Sequence, residues 1–170
     1  MKMRFFIAVA GLLLLSACGS TQEIVRCPDV RVPSETGNLT RFGPGDGRDI
    51  TDVVMEAQFE EVRGECSVSD DEVQVAALVK ITARQGPASN VQQGKFSFFV
   101  AVTDRKRNIL SRRSVAGTVD FSGNRSRVTF FERLKVDIPK TESQEGNEFL
   151  IFMGFDLSRD EVDFNRAQGS

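Results

Sequence analysis

Asp46, Asp49 and Asp52 stand three residues apart in and just after Gly43-Pro44-Gly45-Asp46-Gly47-Arg48-Asp49, the most unusual local composition of a 170-residue chain. A phosphate loop would end in Gly-Lys-Ser/Thr, which this stretch lacks. A calcium loop would set acids at every second position and close on a glutamate. The stretch reads as an exposed turn, with weak cation binding as its functional alternative. The chain also has no histidine, tryptophan or tyrosine. Without imidazole there is no Ser-His-Asp triad, no Cys-His pair and no histidine-ligated zinc. Catalysis would fall to Asp, Glu, Lys, Ser or a carboxylate-held metal. The enzymatic alternative is a carboxylate pair acting on cell-wall glycan, and nothing in the spread of acids selects two of them. Stacking platforms for sugars or bases reduce to phenylalanine, which lacks a polar tip. The expectation is a non-catalytic protein that needs no cofactor or metal.

At the start of the chain, Lys2 and Arg4 precede an apolar run from Phe5 to Leu15 that ends in small residues before Cys18. This is the pattern of a secretory signal. Eleven helical residues rise only about 16 Å, roughly half of a bilayer core, so a permanent span is the poorer reading. Leu15-Ser16-Ala17-Cys18 resembles the bacterial lipobox. The resemblance implies cleavage after Ala17, a diacylglyceryl thioether on Cys18 and an acylated N-terminus. An ordinary signal peptide with a chance cysteine is the alternative. Gly19 follows the cysteine where, by the lipoprotein sorting rule, an aspartate would retain the protein in the inner membrane. The resemblance therefore implies an outer-membrane anchor and a domain facing the periplasm. Several acyl chains hold where one alone is marginal. Beyond the lipobox, the mature chain resembles small outer-membrane lipoproteins of Gram-negative bacteria, which implies location and carries no catalytic motif.

With Cys18 assigned to lipid by that resemblance, Cys27 and Cys66 remain as an even pair in an oxidising compartment. A structural disulfide is expected. Redox pairs sit closer in sequence, and two thiolates without further Cys or His make a poor metal site. Three regions follow: a signal at 1–17, a lipidated tether at 18–26 and one domain at 27–170. Without Lys2 and Arg4, 20 of the 22 basic residues face 24 acidic ones, with no long block of either sign. Nothing in the charge points to nucleic acid or to a polybasic membrane surface, and no nucleotide partner is expected.

The domain reads as strands. Val53, Met55, Ala57 and Phe59 alternate with polar residues until Val62 falls out of phase, which predicts a bulge near Glu60-Glu61. Val73 to Ala83 alternates most regularly, and Phe96 to Val102, Ile109 to Phe121 and Arg127 to Ile138 follow as strands. Glu132 places the last of these near an edge. Glu148 to Leu157 is apolar on both faces and should be central. Asp29 to Pro33 and Leu39 to Phe42 are weaker strands, and Ser158-Arg159-Asp160-Glu161 is a capping box that opens a short helix. The expected fold is all-β: an antiparallel Ig-like sandwich of about seven strands with a C-terminal helix, or alternatively a small barrel. Phe99, Leu150 and Phe152 lie opposite the apolar faces of their strands. They are covered internally, by the 29–42 segment or the Val162 and Phe164 face of the helix, or they form a patch for an envelope protein or an apolar ligand.

Overall fold

The computed structural model describes residues 25–169. Eight strands are formed: β1 (Asp29–Arg31), β2 (Asn38–Phe42), β3 (Val53–Val68), β4 (Glu72–Gln85), β5 (Gln93–Asp104), β6 (Ile109–Asp120), β7 (Arg127–Pro139) and β8 (Phe149–Phe155). Among the described residues one α-helix, α1 (Arg159–Gln168), follows them. One sheet runs β1-β8-β5-β6 and the other β2-β3-β4-β7. This is the sandwich expected from the alternation, and the sheets do not close into a barrel.

One pairing departs from the antiparallel expectation. β1 lies parallel to β8, with Val30 opposite Ile151, whereas the other strand pairs are antiparallel. The reason is topological: both strands start from the same end of the sandwich, and β1 joins β8 only after the chain has passed through six intervening strands.

Alternation decides which side chains enter the core. Met55, Ala57 and Phe59 from β3 and Val73 to Ala83 from β4 face Phe96, Phe98, Val100 and Val102 from β5. Ile151, Met153 and Phe155 from β8 complete the layer. The bulge falls where the phase slips: Phe59 pairs with Ile81 and Glu61 with Lys80, which leaves Glu60 unpaired. The extra residue returns Val62 to the inner face opposite Val79. It also aims Glu60 at Lys80 on the adjacent β4 and Arg127 on β7 beyond it, 2.6 Å and 3.2 Å away. Lys80 and Thr82 hydrogen-bond the Glu60 carboxylate and hold its pKa well below the usual value, at about 2.

Cys27 and Cys66 are joined, with Cα atoms 5.8 Å apart, so the segment leading into β1 is fixed to the end of β3. Close approach secures the same corner from the other side. A Cβ on Gly146 would run into the carbonyl of Arg26, and Arg26 pairs with Glu145 at 2.7 Å.

Two outcomes follow. Removing the disulfide by Cys27→Ala with Cys66→Ala should cost about 4 kcal/mol, since the bond closes a long loop. Urea unfolding measures it, and a change near zero would show that the corner is held without the bond. Glu60 gives a pH signature, because a lowered folded pKa stabilises above the unfolded value of 4.5 and the contribution is lost as pH falls toward about 2. Glu60→Gln should flatten the acid limb of the stability profile between those limits. An unchanged limb would assign acid sensitivity to other carboxylates.

Candidate functional site

Cys18 and the rest of the lipobox lie outside the described residues. Within them, three places bear on function: the loop before β3, the outer face of β5 and β8, and the groove beside α1.

In the loop, Asp49 and Asp52 bracket a short 3-10 turn, Ile50–Asp52, and share reciprocal capping. The Asp52 carboxylate accepts from the Asp49 backbone N–H at 3.1 Å and lies against Gly47. It is thus occupied in fixing a corner. No cluster of three or more acids, cysteines or histidines suited to a metal ion occurs among the described residues. Arg48 completes the corner by donating to the carbonyls of Gly45 and Gly47 at 3.2 Å and 2.7 Å, with its guanidinium 5.2 Å from the Phe42 ring centre.

On the outer face, Phe99 pairs with Gly154, and Ala101 with Phe152. The glycine leaves room for both the Phe99 ring and the Thr36 side chain, each of which a Cβ at 154 would meet. Thr36 is tied down by its own carbonyl, which accepts from Phe155 N–H at 2.7 Å. Arg112 lies over the far side of Phe99, 5.0 Å from the ring centre, and bonds Asp156 at 2.6 Å. Leu150 is only 5% exposed, while Phe99 and Phe152 are half-buried. Of the three residues, only the two rings reach solvent.

The groove beside α1 has no counterpart in the sequence reading. Ser158 caps the helix, accepting from Glu161 N–H at 3.3 Å while the Glu161 carboxylate accepts from Ser158 N–H at 2.7 Å. Asn165 then donates to the carbonyls of Glu35 and Asn38 at 2.9 Å and 2.8 Å. These bonds lay the helix along the edge of β2, and Phe164 meets Phe42 edge to face at 5.0 Å. The helix therefore covers β2, and its Phe164 is spent there. Between the helix, β2 and the Arg48 corner runs an open cleft of about 790 Å³, lined by Phe42, Ile50 and Phe164 with Arg48, Glu56 and Arg166. Ile50 stands at its rim, 77% exposed. The capping box was legible in the chain. The cleft was not, because β2 and α1 are more than a hundred residues apart and only the tertiary fold joins them.

Apart from Glu60, the shifted carboxylates serve turns. Asn108 side-chain and backbone N–H groups hold the pKa of Asp104 below its usual value in the β5–β6 turn. The backbone N–H and hydroxyl of Ser122 do the same for Asp120 after β6. A backbone hydrogen bond and the Ser34 hydroxyl lower Glu35. Each change favours the ionised acceptor, the opposite of what a general acid needs.

No protein-family model matches the chain, and no curated protein matches it. Among solved structures, one similar chain is a glycosyl hydrolase family 2 member from Bacteroides cellulosilyticus DSM 14838, at 14% identity and a TM-score of 0.33. The match covers 55% of this chain and spans 15% of the length of that one. Another is the variable domain of the AgI/II polypeptide BspA from Streptococcus agalactiae, at 14% identity and a TM-score of 0.17, covering 75% of this chain and 76% of that one. Likenesses at these scores carry no argument about function.

Proposed function

We propose that the chain is an outer-membrane lipoprotein whose domain faces the periplasm and serves as a non-catalytic binding or envelope-assembly module. The observation that carries the reading is Leu15-Ser16-Ala17-Cys18, followed by Gly19 and standing just ahead of a disulfide-closed domain. Eight residues, Gly19 to Arg26, separate the lipid attachment from that domain. Fully extended, they reach at most about 29 Å. The Cys27–Cys66 bond fits an oxidising compartment.

The cleft supports a binding role. β2 pairs with the first part of β3, from Val53 to Gln58, whereas Cys66 lies near the other end of that strand. The groove of Phe42, Ile50 and Phe164 thus lies toward the end away from the corner where the chain enters. A surface so placed on an anchored domain points into the periplasm. Its mixed lining, with Phe42, Ile50 and Phe164 set among charged and amide side chains, suits an amphipathic ligand or a segment of another envelope protein. The half-exposed Phe99 and Phe152 form a second, smaller contact surface.

Cys18→Ala should move the protein from the membrane fraction to the soluble periplasm, and intact mass of the membrane-extracted parent should show an acylated Cys18 N-terminus. A variant that still fractionates with membranes would remove the anchor from the reading. Photocrosslinkers at Ile50 and Phe152 in intact cells should each capture a defined envelope neighbour. Capture of nothing at either position, with the fold intact, would remove the binding role.

A further inference from the structure

Exposed apolar side chains are not spread evenly over this domain. Seven large ones stand out among the described residues, and four of them, Val25, Val68, Ile109 and Leu110, gather at one end. Register within each sheet, with the Cys27–Cys66 bond and Gly146 against Arg26 and Val68 joining the sheets, fixes that grouping. Val68 pairs with Val73 at the closed end of the β3–β4 hairpin, Thr103 pairs with Ile109 beside the β5–β6 turn, and Asp104 pairs with Phe149 at the start of β8. Because Asp29 of β1 pairs with Leu150 near that same start, the chain enters the domain here too.

This end is divided by charge. On the β5–β6 side, Arg105, Lys106 and Arg107 form three successive cations in the turn, next to Ile109 at 66% and Leu110 at 53% exposed. The turn is rigid. Asp104 accepts from both the backbone N–H and the side-chain amide of Asn108, at 2.8 Å and 2.6 Å, and Arg107 N–H donates to the Asp104 carbonyl at 3.0 Å. On the other side, the β3–β4 turn carries Asp70 and Asp71, whose neighbour Lys140 donates to the Asp70 carbonyl. The β5–β6 corner is therefore cationic and carries Ile109 and Leu110, while the opposite corner is acidic and carries Val68 beside the entry of the chain.

We infer that the β5–β6 corner is an interfacial docking surface for an anionic phospholipid leaflet, seating the domain in a tilted pose with Ile109 and Leu110 at the headgroup boundary. This rests on the lipid-anchor reading, since the occupant follows from the position of the tether. Only eight residues join Cys18 to the disulfide, and they join it at this end. A leaflet held that close meets the domain's cations and its apolar side chains together, the combination that favours interfacial binding. The acidic corner would be turned away from negatively charged headgroups, which sets the tilt.

The test uses the full-length, lipidated protein in vesicles of phosphatidylethanolamine and phosphatidylglycerol, with a bimane on Ile109→Cys and, at the opposite end, on Asn90→Cys. Lipid-borne nitroxides should quench the label at 109 several-fold more than the label at 90. Arg105→Glu with Lys106→Glu, or replacement of phosphatidylglycerol by phosphatidylcholine, should remove most of that difference. Equal quenching at the two positions while the protein stays vesicle-bound would overturn the docking surface and leave the anchor standing. Protein that does not co-sediment with vesicles would overturn the anchor, and the surface with it. Crosslinking from position 109 to a protein in intact cells, with weak quenching in vesicles, would also overturn the lipid assignment.

Discussion

Phe59 packs 4.7 Å from Phe155 and 5.7 Å from Phe98, and Phe96 packs 5.8 Å from Phe155 and 5.7 Å from Phe130. The rings come from both sheets, so this layer joins them face to face. Aromatic pairs of this kind add about 0.5–1.5 kcal/mol each beyond the area they bury. Delivering the rings inward constrains every strand, because a slip of one residue would turn a whole set to solvent. The bulge at Glu60 follows from that constraint. β3 must present both Phe59 and Val62 inward, which strict alternation forbids, and one extra residue restores the phase. Glu60 then bridges Lys80 and Arg127 across three strands, turning a local irregularity into a cross-strand tie.

A layered core leaves edges, and the four edge strands are treated differently. β2 is short and covered by α1, whose Asn165 occupies two backbone carbonyls beside it. β1 is three residues long and fixed close to the disulfide. The long edges β6 and β7 carry Arg112, Arg113, Arg133 and Lys135, charges that discourage pairing with another chain. Arg113 also reaches from β6 to the Lys135 carbonyl of β7 at 2.8 Å, closing one flank between the sheets. Arg41 reaches from β2 to the Lys95 carbonyl of β5 at 2.6 Å.

The same scaffold separates two surfaces. The disulfide, the entry into β1, the basic turn and four of the exposed aliphatic residues share one end. The Phe42–Phe164 groove and its Arg48 corner lie toward the other. Since rigid β-strands run between them, a domain tethered at the first end holds the second at a set distance from the attachment point. That geometry suits a module presenting a groove to the periplasm, as proposed above.

The sequence by itself determined the strands and their inward faces, since a period of two records which side of a sheet is buried. It also determined the bulge, from one apolar residue out of phase, the central place of β8, from its two apolar faces, and the Ser158 cap, from a local motif. Tertiary structure alone decided the pairing order and the parallel β1–β8 match. Strand partners are chosen by long-range packing that leaves no periodic trace. It also decided the fate of the apolar surplus. Leu150 is buried, and Phe99 lies between Gly154 and Arg112. The helix that was a candidate cover packs on Phe42 and creates a cleft. An apolar side chain signals that it will be covered, but what covers it depends on which distant segment the fold brings alongside.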